Sequence, residues 1–405
     1  MRTLYDAVVV GAGPAGSATA RDIAREGFKV LLLEEHAAVG RPTHCSGLVT
    51  PRTLEAAGVG HDIVLNRIVG AHICTPSGKE LVIGGDRVHA LVVDRARFDD
   101  LLSCQAQGAN AVLELDARFS YLEREGRLLR IYVDRHGRRR SFRTKLLIGA
   151  DGTRSRVAAQ TGLGREDGAI SCLTAEVIGR VPSQQLVEIF LDKSSAPGWF
   201  GWALPKGDGR WQVGTGVAGG FKPLESLRLL GQAFPTRLGD VRPVRFEAGS
   251  LPLWVPMKSY ASNVLLVGDA ARQVKPTSGG GIYPGLVGAR LAAGVAIEAL
   301  KEDNLSEAFL SRYHTMFMDE LGDEFKRARD VRRVFLSLSN ERLKRLLAML
   351  NDERRQDILR RYGDIDFPSR FFYELAKAAP SLLTLIRVPP RYPWAWLPWR
   401  HKDGK

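Results

Sequence analysis

Val8-Val9-Val10-Gly11-Ala12-Gly13-Pro14-Ala15-Gly16-Ser17 sets an apolar, β-branched run against a glycine turn, and a helix-forming stretch follows as far as Arg25. The G-x-G-x-x-G spacing demands a strand, a tight turn and a helix in immediate succession. Gly11 allows the turn, Gly13 lets the backbone approach a pyrophosphate, and Gly16 lets helix and strand pack closely. Phosphates then rest on unpaired N–H groups at the positive end of the helix, read as 18–25, beside the turn residues Pro14 and Ala15. A second strand, residues 29–33, ends in Glu34-Glu35, about 20 residues on, where an acidic side chain takes a ribose hydroxyl. The expectation is an α/β chain built on a Rossmann-like dinucleotide-binding domain.

The acid pair is followed by Gly40-Arg41-Pro42-Thr43-His44-Cys45-Ser46-Gly47, a loop-like segment carrying a cation, an imidazole and a thiol. A small buried Cys45, a hydrogen-bonded His44 and a solvated Arg41 are the ordinary readings. Residues 68–75 and 80–83 alternate around Pro76-Ser77-Gly78 and read as a β-hairpin. A strand at 89–93 leads into Asp94-Arg95-Ala96-Arg97-Phe98-Asp99. There Asp94 is placed to cap a helix whose Phe98, Leu101 and Leu102 share a face. Short strands follow at 111–115, 118–122 and 128–134. Leu146-Leu147-Ile148-Gly149-Ala150-Asp151-Gly152 then reads as a buried strand ending in a polar turn.

Residues 169–255 change character, with short alternating strands and one convincing helix, 224–234. That pattern predicts an antiparallel sheet inserted into the nucleotide domain as the layer that meets substrate. Within it, Pro197-Gly198-Trp199-Phe200-Gly201-Trp202-Ala203-Leu204-Pro205 precedes Gly214-Thr215-Gly216. Aromatics beside glycines on a strand bounded by prolines either line an apolar pocket or simply pack in a sheet. The parallel sheet resumes at 263–267 and ends in Gly268-Asp269. Pro276-Thr277-Ser278-Gly279-Gly280-Gly281-Ile282 then leads into a helix, 284–300, and successive glycines there present a row of N–H groups at its positive end. The organisation expected is a discontinuous nucleotide domain (1–168 with 256–303), a β substrate domain (169–255) and a helical C-terminal region (304–405).

With 405 residues, 44% of them hydrophobic and 25% charged, the chain has the make-up of a globular protein of two or three parts. No uninterrupted run of about 18 apolar residues predicts a membrane span. The first strand begins by residue 7, which leaves no room for a leader, so a cytoplasmic location is expected. Cys45, Cys74, Cys104 and Cys172 are scattered without a C-x-x-C pair, and neither a metal site nor a disulfide framework is expected. The net charge of +13 is concentrated, because over residues 325–361 basic side chains far outnumber acidic ones on what reads as helix. Such a face attracts an acidic partner or an anionic membrane surface. Without a helix-turn-helix, zinc-finger or RNA-stacking pattern beside it, nucleic acid is not expected. Tyr392, Trp394, Trp396 and Trp399, set among prolines and basic residues, suit a bilayer interface or packing on the protein's own surface.

Together, Gly11 to Gly16 with Glu34, the Asp151-Gly152 turn, and Gly268-Asp269 before a glycine-rich helix start resemble the FAD-binding core of the para-hydroxybenzoate hydroxylase-like flavoproteins, over residues 1 to about 300. The resemblance implies that the first motif holds the pyrophosphate and Glu34 the adenosine ribose. It implies that Asp269 meets the ribitol and pyrophosphate, and that Gly279, Gly280 and Gly281 lie under the isoalloxazine. Asp94-Arg95-x-x-Phe98-Asp99 is similar to the group's segment that sends an arginine, here Arg95, towards the cofactor. Within the group the chain most resembles the geranylgeranyl reductase family. Cys45-Ser46-Gly47 resembles that family's cysteine loop on the substrate side of the flavin. Phe200-Gly201-Trp202-Ala203-Leu204-Pro205 with Gly214-x-Gly216 resembles its lipid-pocket motif, although members commonly carry tyrosine and phenylalanine where Phe200 and Leu204 stand. The W-x-W-x-I-P stretch of flavin halogenases is also similar, but here the tryptophans are three apart, and the lysine expected after the first hairpin is missing unless Lys79 serves.

The family resemblance implies an FAD-dependent reductase that saturates isolated C=C bonds of a prenyl lipid, with a flavin monooxygenase or halogenase as the alternative. Trp199, Phe200, Trp202 and Leu204 would wall the lipid slot, with Pro205, Gly214 and Gly216 shaping it. His44, Cys45 and the flavin itself stand as candidate proton donors. NAD(P)H or an acidic ferredoxin would supply electrons, and the basic helices and Trp-rich end would serve that carrier or a membrane surface.

Overall fold

The structure, a computed structural model, describes residues 3–43, 45–164, 169–179, 183–239, 241–253 and 258–378. His44 and the Trp-rich tail lie outside the described residues. The apolar run forms strand Leu4–Val10, and its inner residues Ala7, Val8 and Val9 are wholly buried. It pairs in parallel with Val30–Leu33 on one side and with Arg138–Gly149 on the other; Val112–Glu114 and Val264–Leu266 extend the parallel row at its two ends. Parallel strands covered on both faces need apolar residues at nearly every position, and this is why the sequence reads as runs here rather than as alternation. One face packs against Ala20 and Ile23 of helix Pro14–Arg25, Ala292 and Ala296 of helix Ile282–Lys301, and Tyr313 and Phe317 of the long helix Glu307–Ser337. The other face is covered by an antiparallel meander, Arg118–Glu125, Leu128–Arg135 and the first half of Arg138–Gly149, through Phe119, Ile131 and Val133. Helix Ile282–Lys301 is long and apolar enough, at a mean hydropathy of 1.2, to cross a bilayer, yet 67% of that stretch is buried inside the protein. By position it is a core helix.

A second sheet of seven strands runs in the order Arg242–Pro252, Ala169–Ile178, Arg210–Val217, Gly201–Gly207, Leu186–Phe190, Gly70–Cys74, Glu80–Gly84. The expected boundary of 169–255 is therefore too narrow, because the early hairpin joins this sheet through parallel pairing of Gly70–Cys74 with Leu186–Phe190. Alternation along the three strands turns Ala71, Ile73, Leu81, Ile83, Val187 and Ile189 to one face, where they line a single cavity. On the opposite face His72 sits 3.2 Å from Glu188 and 3.1 Å from Glu80, and Arg237 bonds both acids. The ligand-type atoms of His72, Cys74 and Glu80 lie within 4.8 Å of one another, but the guanidinium already answers the carboxylates, and the cluster ties the sheet to the short helix Pro235–Leu238. Burial pushes the Cys74 thiol up to about 12, with Glu188 adding to it.

The C-terminal part is helical as expected, and each of its first three helices starts on a side-chain cap: Ser306 before Glu307–Ser337, Ser339 before Asn340–Leu350, and Asp352 before Glu353–Tyr362. A fourth helix, Pro368–Ala378, follows within the same region. Leu347, Leu350, Leu359 and Leu375 pack together over Leu81 of the seven-stranded sheet.

Candidate active site

The three motif glycines do different things. Gly11 has φ +102°, and a Cβ there would lie 2.3 Å from the Ala150 carbonyl oxygen, while one on Gly16 would lie 1.9 Å from that of Gly11. Neither tolerates a side chain. Gly13 is the reverse, with nothing within 4 Å of where its Cβ would sit. It borders a cavity of about 1630 Å³. Open backbone at the start of a helix is the shape a pyrophosphate requires. Glu34, only 9% exposed, braces this turn: it accepts the Ala12 N–H at 3.0 Å and, on its other oxygen, the His36 backbone N–H at 3.1 Å. The His36 ring nitrogen lies 2.6 Å from that second oxygen.

Across the cavity Gly268, at φ +64°, turns the chain from strand Val264–Leu266 into Asp269. Burial holds the Asp269 carboxyl above the usual carboxylate range, against the pull of a 3.3 Å hydrogen bond from the Thr153 hydroxyl. Arg95, in the first turn of helix Arg95–Gly108, is clamped by Asp99 one turn on through contacts of 2.9 to 3.2 Å. Desolvation alone would lower its guanidinium, but Asp99 and then Cys45 hold it above its ordinary value. Cys45, Ser46 and Arg95 border the same cavity as Pro276, Gly279, Gly281 and Ile282. In that turn the Thr277 hydroxyl is buried with no partner among the described residues, which leaves it available to a bound group. The bare backbone at Gly13, the open side of Asp269 and the orphaned hydroxyl at Thr277 together fit an FAD.

Asp151 and Gly152 border the same cavity, and Asp151 has a local task as well. Its carboxylate takes the Ser155 hydroxyl at 2.6 Å and the N–H groups of Arg156 and Val157 at 2.7 and 3.1 Å, so it fastens helix Arg156–Gln160, with Gly152 at φ +76° making the turn.

The aromatic wall has its own logic. Strand Gly201–Gly207 lies beside Arg210–Val217, with Trp202 directly opposite Gly214. A Cβ on Gly214 would fall 2.4 Å from the Trp202 ring, and one on Gly216 would fall 2.4 Å from the Trp199 ring. The G-x-G pair is therefore a sunken seat for two indoles. Trp199, 2% exposed, stacks on Phe200 at 4.7 Å, and its far edge comes within 3.4 Å of where a Gly279 Cβ would be, so the aromatic wall touches the glycine run. Trp199, Phe200, Trp202 and Leu204 all border the cavity. Strand alternation turns Pro205 away from it, and the Pro205 carbonyl accepts a 3.0 Å bond from Asn66.

Beyond Trp202 the cavity continues between the seven-stranded sheet and the C-terminal helices, where Ile73, Leu81 and Ile83 face Leu347, Leu350 and Phe371. The cover is fastened to the flavin-side turn. Lys275 donates 2.8 Å bonds to Asp366 and to the Ile365 carbonyl, and Asp366 also takes the Thr50 hydroxyl at 2.5 Å and Arg52 at 3.2 Å. Removing one partner of so buried a pair would strand a charge, so the fastening is costly to undo.

Residues 4–200 match the family model for the FAD binding domain. Digeranylgeranylglycerophospholipid reductase 2 of Methanopyrus kandleri is 36% identical over 371 residues, covering 88% of this chain and 92% of that protein. The chain belongs to the geranylgeranyl reductase family. It is an FAD-dependent oxidoreductase. The digeranylgeranylglycerophospholipid reductase of Methanocaldococcus jannaschii, 31% identical over 398 residues, covers 96% of this chain and 98% of its own length. The family likeness thus runs through the basic helices, which the motifs left uncovered. A geranylgeranyl bacteriochlorophyll reductase-like protein of Thermoplasma acidophilum shares the fold, with TM-score 0.81 and 24% identity over 94% of this chain and 99% of that one. A flavin-dependent brominase superposes with TM-score 0.70 and 15% identity over 94% of this chain and all of its own.

Of the remaining sequence candidates, Arg41 is exposed at the cavity edge, and Glu35 is exposed and paired with Arg118 at 3.3 Å. Gly47, at φ +77°, makes the turn after Cys45, and Gly280 packs on the Lys275 side chain. Lys79 is exposed in the hairpin turn and does not border the cavity. Asp99, Thr277, Lys275 and Asp366 went unforeseen. Asp99 alone left a signal, its spacing of four from Arg95 on a capped helix.

Proposed function

We propose that this geranylgeranyl reductase family member saturates isolated C=C bonds in the prenyl chains of a glycerophospholipid. The observation that carries the reading is the continuity of one cavity, from the Gly13 cradle past Cys45 and the glycine run into a slot walled by Trp202, leucines and phenylalanines. When bound, FAD supplies the hydride that an alkene without a neighbouring carbonyl needs. The protein does the rest. Trp199, Phe200 and Trp202 hold the alkene at the flavin side, and the leucine-lined cover keeps water out. In the glycine run the Gly279 N–H is already bonded to the Lys275 carbonyl at 2.9 Å and the Gly280 N–H to the Ser278 hydroxyl at 3.4 Å, so the row of free amides expected from the sequence narrows to Gly281, at the start of helix Ile282–Lys301, as the donor for negative charge. Cys45 borders the cavity near Arg95 and stands with His44 and the flavin itself among the groups that would pass a proton to the less substituted alkene carbon.

Electrons arrive from NAD(P)H or an acidic ferredoxin, for which the basic faces of Asn340–Leu350 and Glu353–Tyr362 offer complementary charge. Those faces and the Trp-rich tail also suit a cytoplasmic protein working at an anionic membrane surface. The brominase-like fold makes oxygen chemistry the rival reading, and the exposed Lys79 counts against it. Reduced holoprotein mixed with oxygen, bromide and an aromatic acceptor is expected to give no brominated or hydroxylated product by mass spectrometry. Stoichiometric formation of either would displace the reductase reading.

A further inference from the structure

We propose that Arg332, which borders the cavity, seats the phosphate of the substrate's headgroup, with Lys193, anchored at Phe335 one turn along the same helix, adding positive charge behind it, so that the lipid's polar end is fixed while its prenyl chains run along the slot. The inference rests on the prenyl-lipid reading above and deepens it. Arg332, on the long helix Glu307–Ser337, borders the cavity, lies over the Trp199 ring at 4.7 Å and donates to the Gly198 carbonyl at 3.0 Å. Lys193, in the segment after strand Leu186–Phe190, donates to the Phe335 carbonyl at 2.8 Å and sits 3.8 Å over the Phe335 ring. Lys193 does not itself border the cavity but feels the charge of Arg332, and neither cation has a carboxylate partner among the described residues.

The nearby acids are already used. Asp330 pairs with Arg329 at 3.1 Å and Arg333 at 3.4 Å, the neighbours on either side of Arg332. Asp192 accepts the N–H groups of Ser194 and Ser195 and the Asn340 amide. Burial brings Lys193 down to about 8, with Arg332 contributing, and brings Arg332 down to about 10. Like charges held together out of water raise the free energy of the site, and an anion between them offsets that. A guanidinium fork suits a phosphate, and a second cation nearby adds to the attraction. Val331, Val334, Phe335 and Leu338 flank Arg332 on the same cavity wall, so hydrocarbon can continue directly from the anion.

The test titrates FAD-loaded protein with geranylgeranyl phosphate, geranylgeraniol and inorganic phosphate by calorimetry, for wild type, R332Q, R332K and R332Q/K193M. Wild type is expected to bind the prenyl phosphate at least about tenfold tighter than the alcohol, as charge-assisted hydrogen bonds allow. R332Q should remove most of that preference, the double variant all of it, and R332K should keep part, with alcohol affinity unchanged within about twofold. Equal weakening of alcohol and phosphate in R332Q would mean that Arg332 only packs on Trp199, and would overturn the seat. So would inorganic phosphate binding as tightly as the prenyl phosphate, which would make this a free-anion site. A wild-type protein that binds neither prenyl probe fails the lipid reading itself, whereas one that binds both equally fails the phosphate seat alone.

Discussion

Gly13→Val yields a folded protein that no longer holds FAD. The backbone at Gly13, φ −67° and ψ −179°, is extended and open to any residue, and no atom lies within 4 Å of the Cβ position. Valine therefore costs the fold little, yet its methyls fill the space where a phosphate approaches the helix N-terminus. Flavin affinity should fall at least about 100-fold, equivalent to roughly 2.7 kcal/mol, while the melting temperature of the apoprotein changes by no more than about 4 °C. Gly16→Val is the contrasting variant. Its Cβ would sit 1.9 Å from the Gly11 carbonyl oxygen, so strand and helix must separate and folding itself suffers. A yellow Gly13→Val protein with full FAD occupancy would show that the pyrophosphate lies elsewhere.

Trp202→Ala separates lipid turnover from flavin binding. The indole rests on Gly214, meets Phe200 edge-on at 6.1 Å and borders the slot, and none of the cradle residues depends on it. Losing it leaves the alkene free to wander from the reacting edge, and misplacement of about 1 Å can cost on the order of 100-fold. kcat/KM for a prenyl lipid should drop by about that factor with FAD stoichiometry unchanged, and with a stability cost of about 3 kcal/mol at most. Gly214→Val should give the same loss from behind, because its Cβ would lie 2.4 Å from the ring and drive it into the slot. Full turnover in either variant would detach the aromatic wall from the reaction.

The legible part of this molecule was the part whose reasons are local. A glycine that must take φ +102°, or that a carbonyl approaches to 1.9 Å, leaves its requirement in the sequence, and so does an apolar run buried on both faces. The G-x-G pair was legible as a motif, but its purpose was not. It reads as a contributor to the substrate site, whereas Gly214 and Gly216 act by leaving room for indoles from the neighbouring strand. Contacts between distant segments could not be read. The Lys275–Asp366 pair joins residues 91 apart, and the hairpin Gly70–Cys74/Glu80–Gly84 enters the second sheet through a strand more than a hundred residues later. The leucines of Asn340–Leu350 make an ordinary helical stripe, and only the fold shows that part of that stripe faces a slot. Arg332 was one cation in a basic run. Its distinction is that no acid among the described residues pairs with it, which appears only when Asp330 is seen turning to Arg329 and Arg333.

Anaerobic single turnover asks whether a flavin's reducing edge opens into a hydrocarbon slot. Stoichiometrically reduced holoprotein is mixed with a digeranylgeranyl glycerophospholipid, and the lipid is read by mass spectrometry. A gain of two hydrogens is expected for each flavin reoxidised. Flavin that stays reduced beside an unchanged lipid, yet reoxidises at once in air, would contradict it.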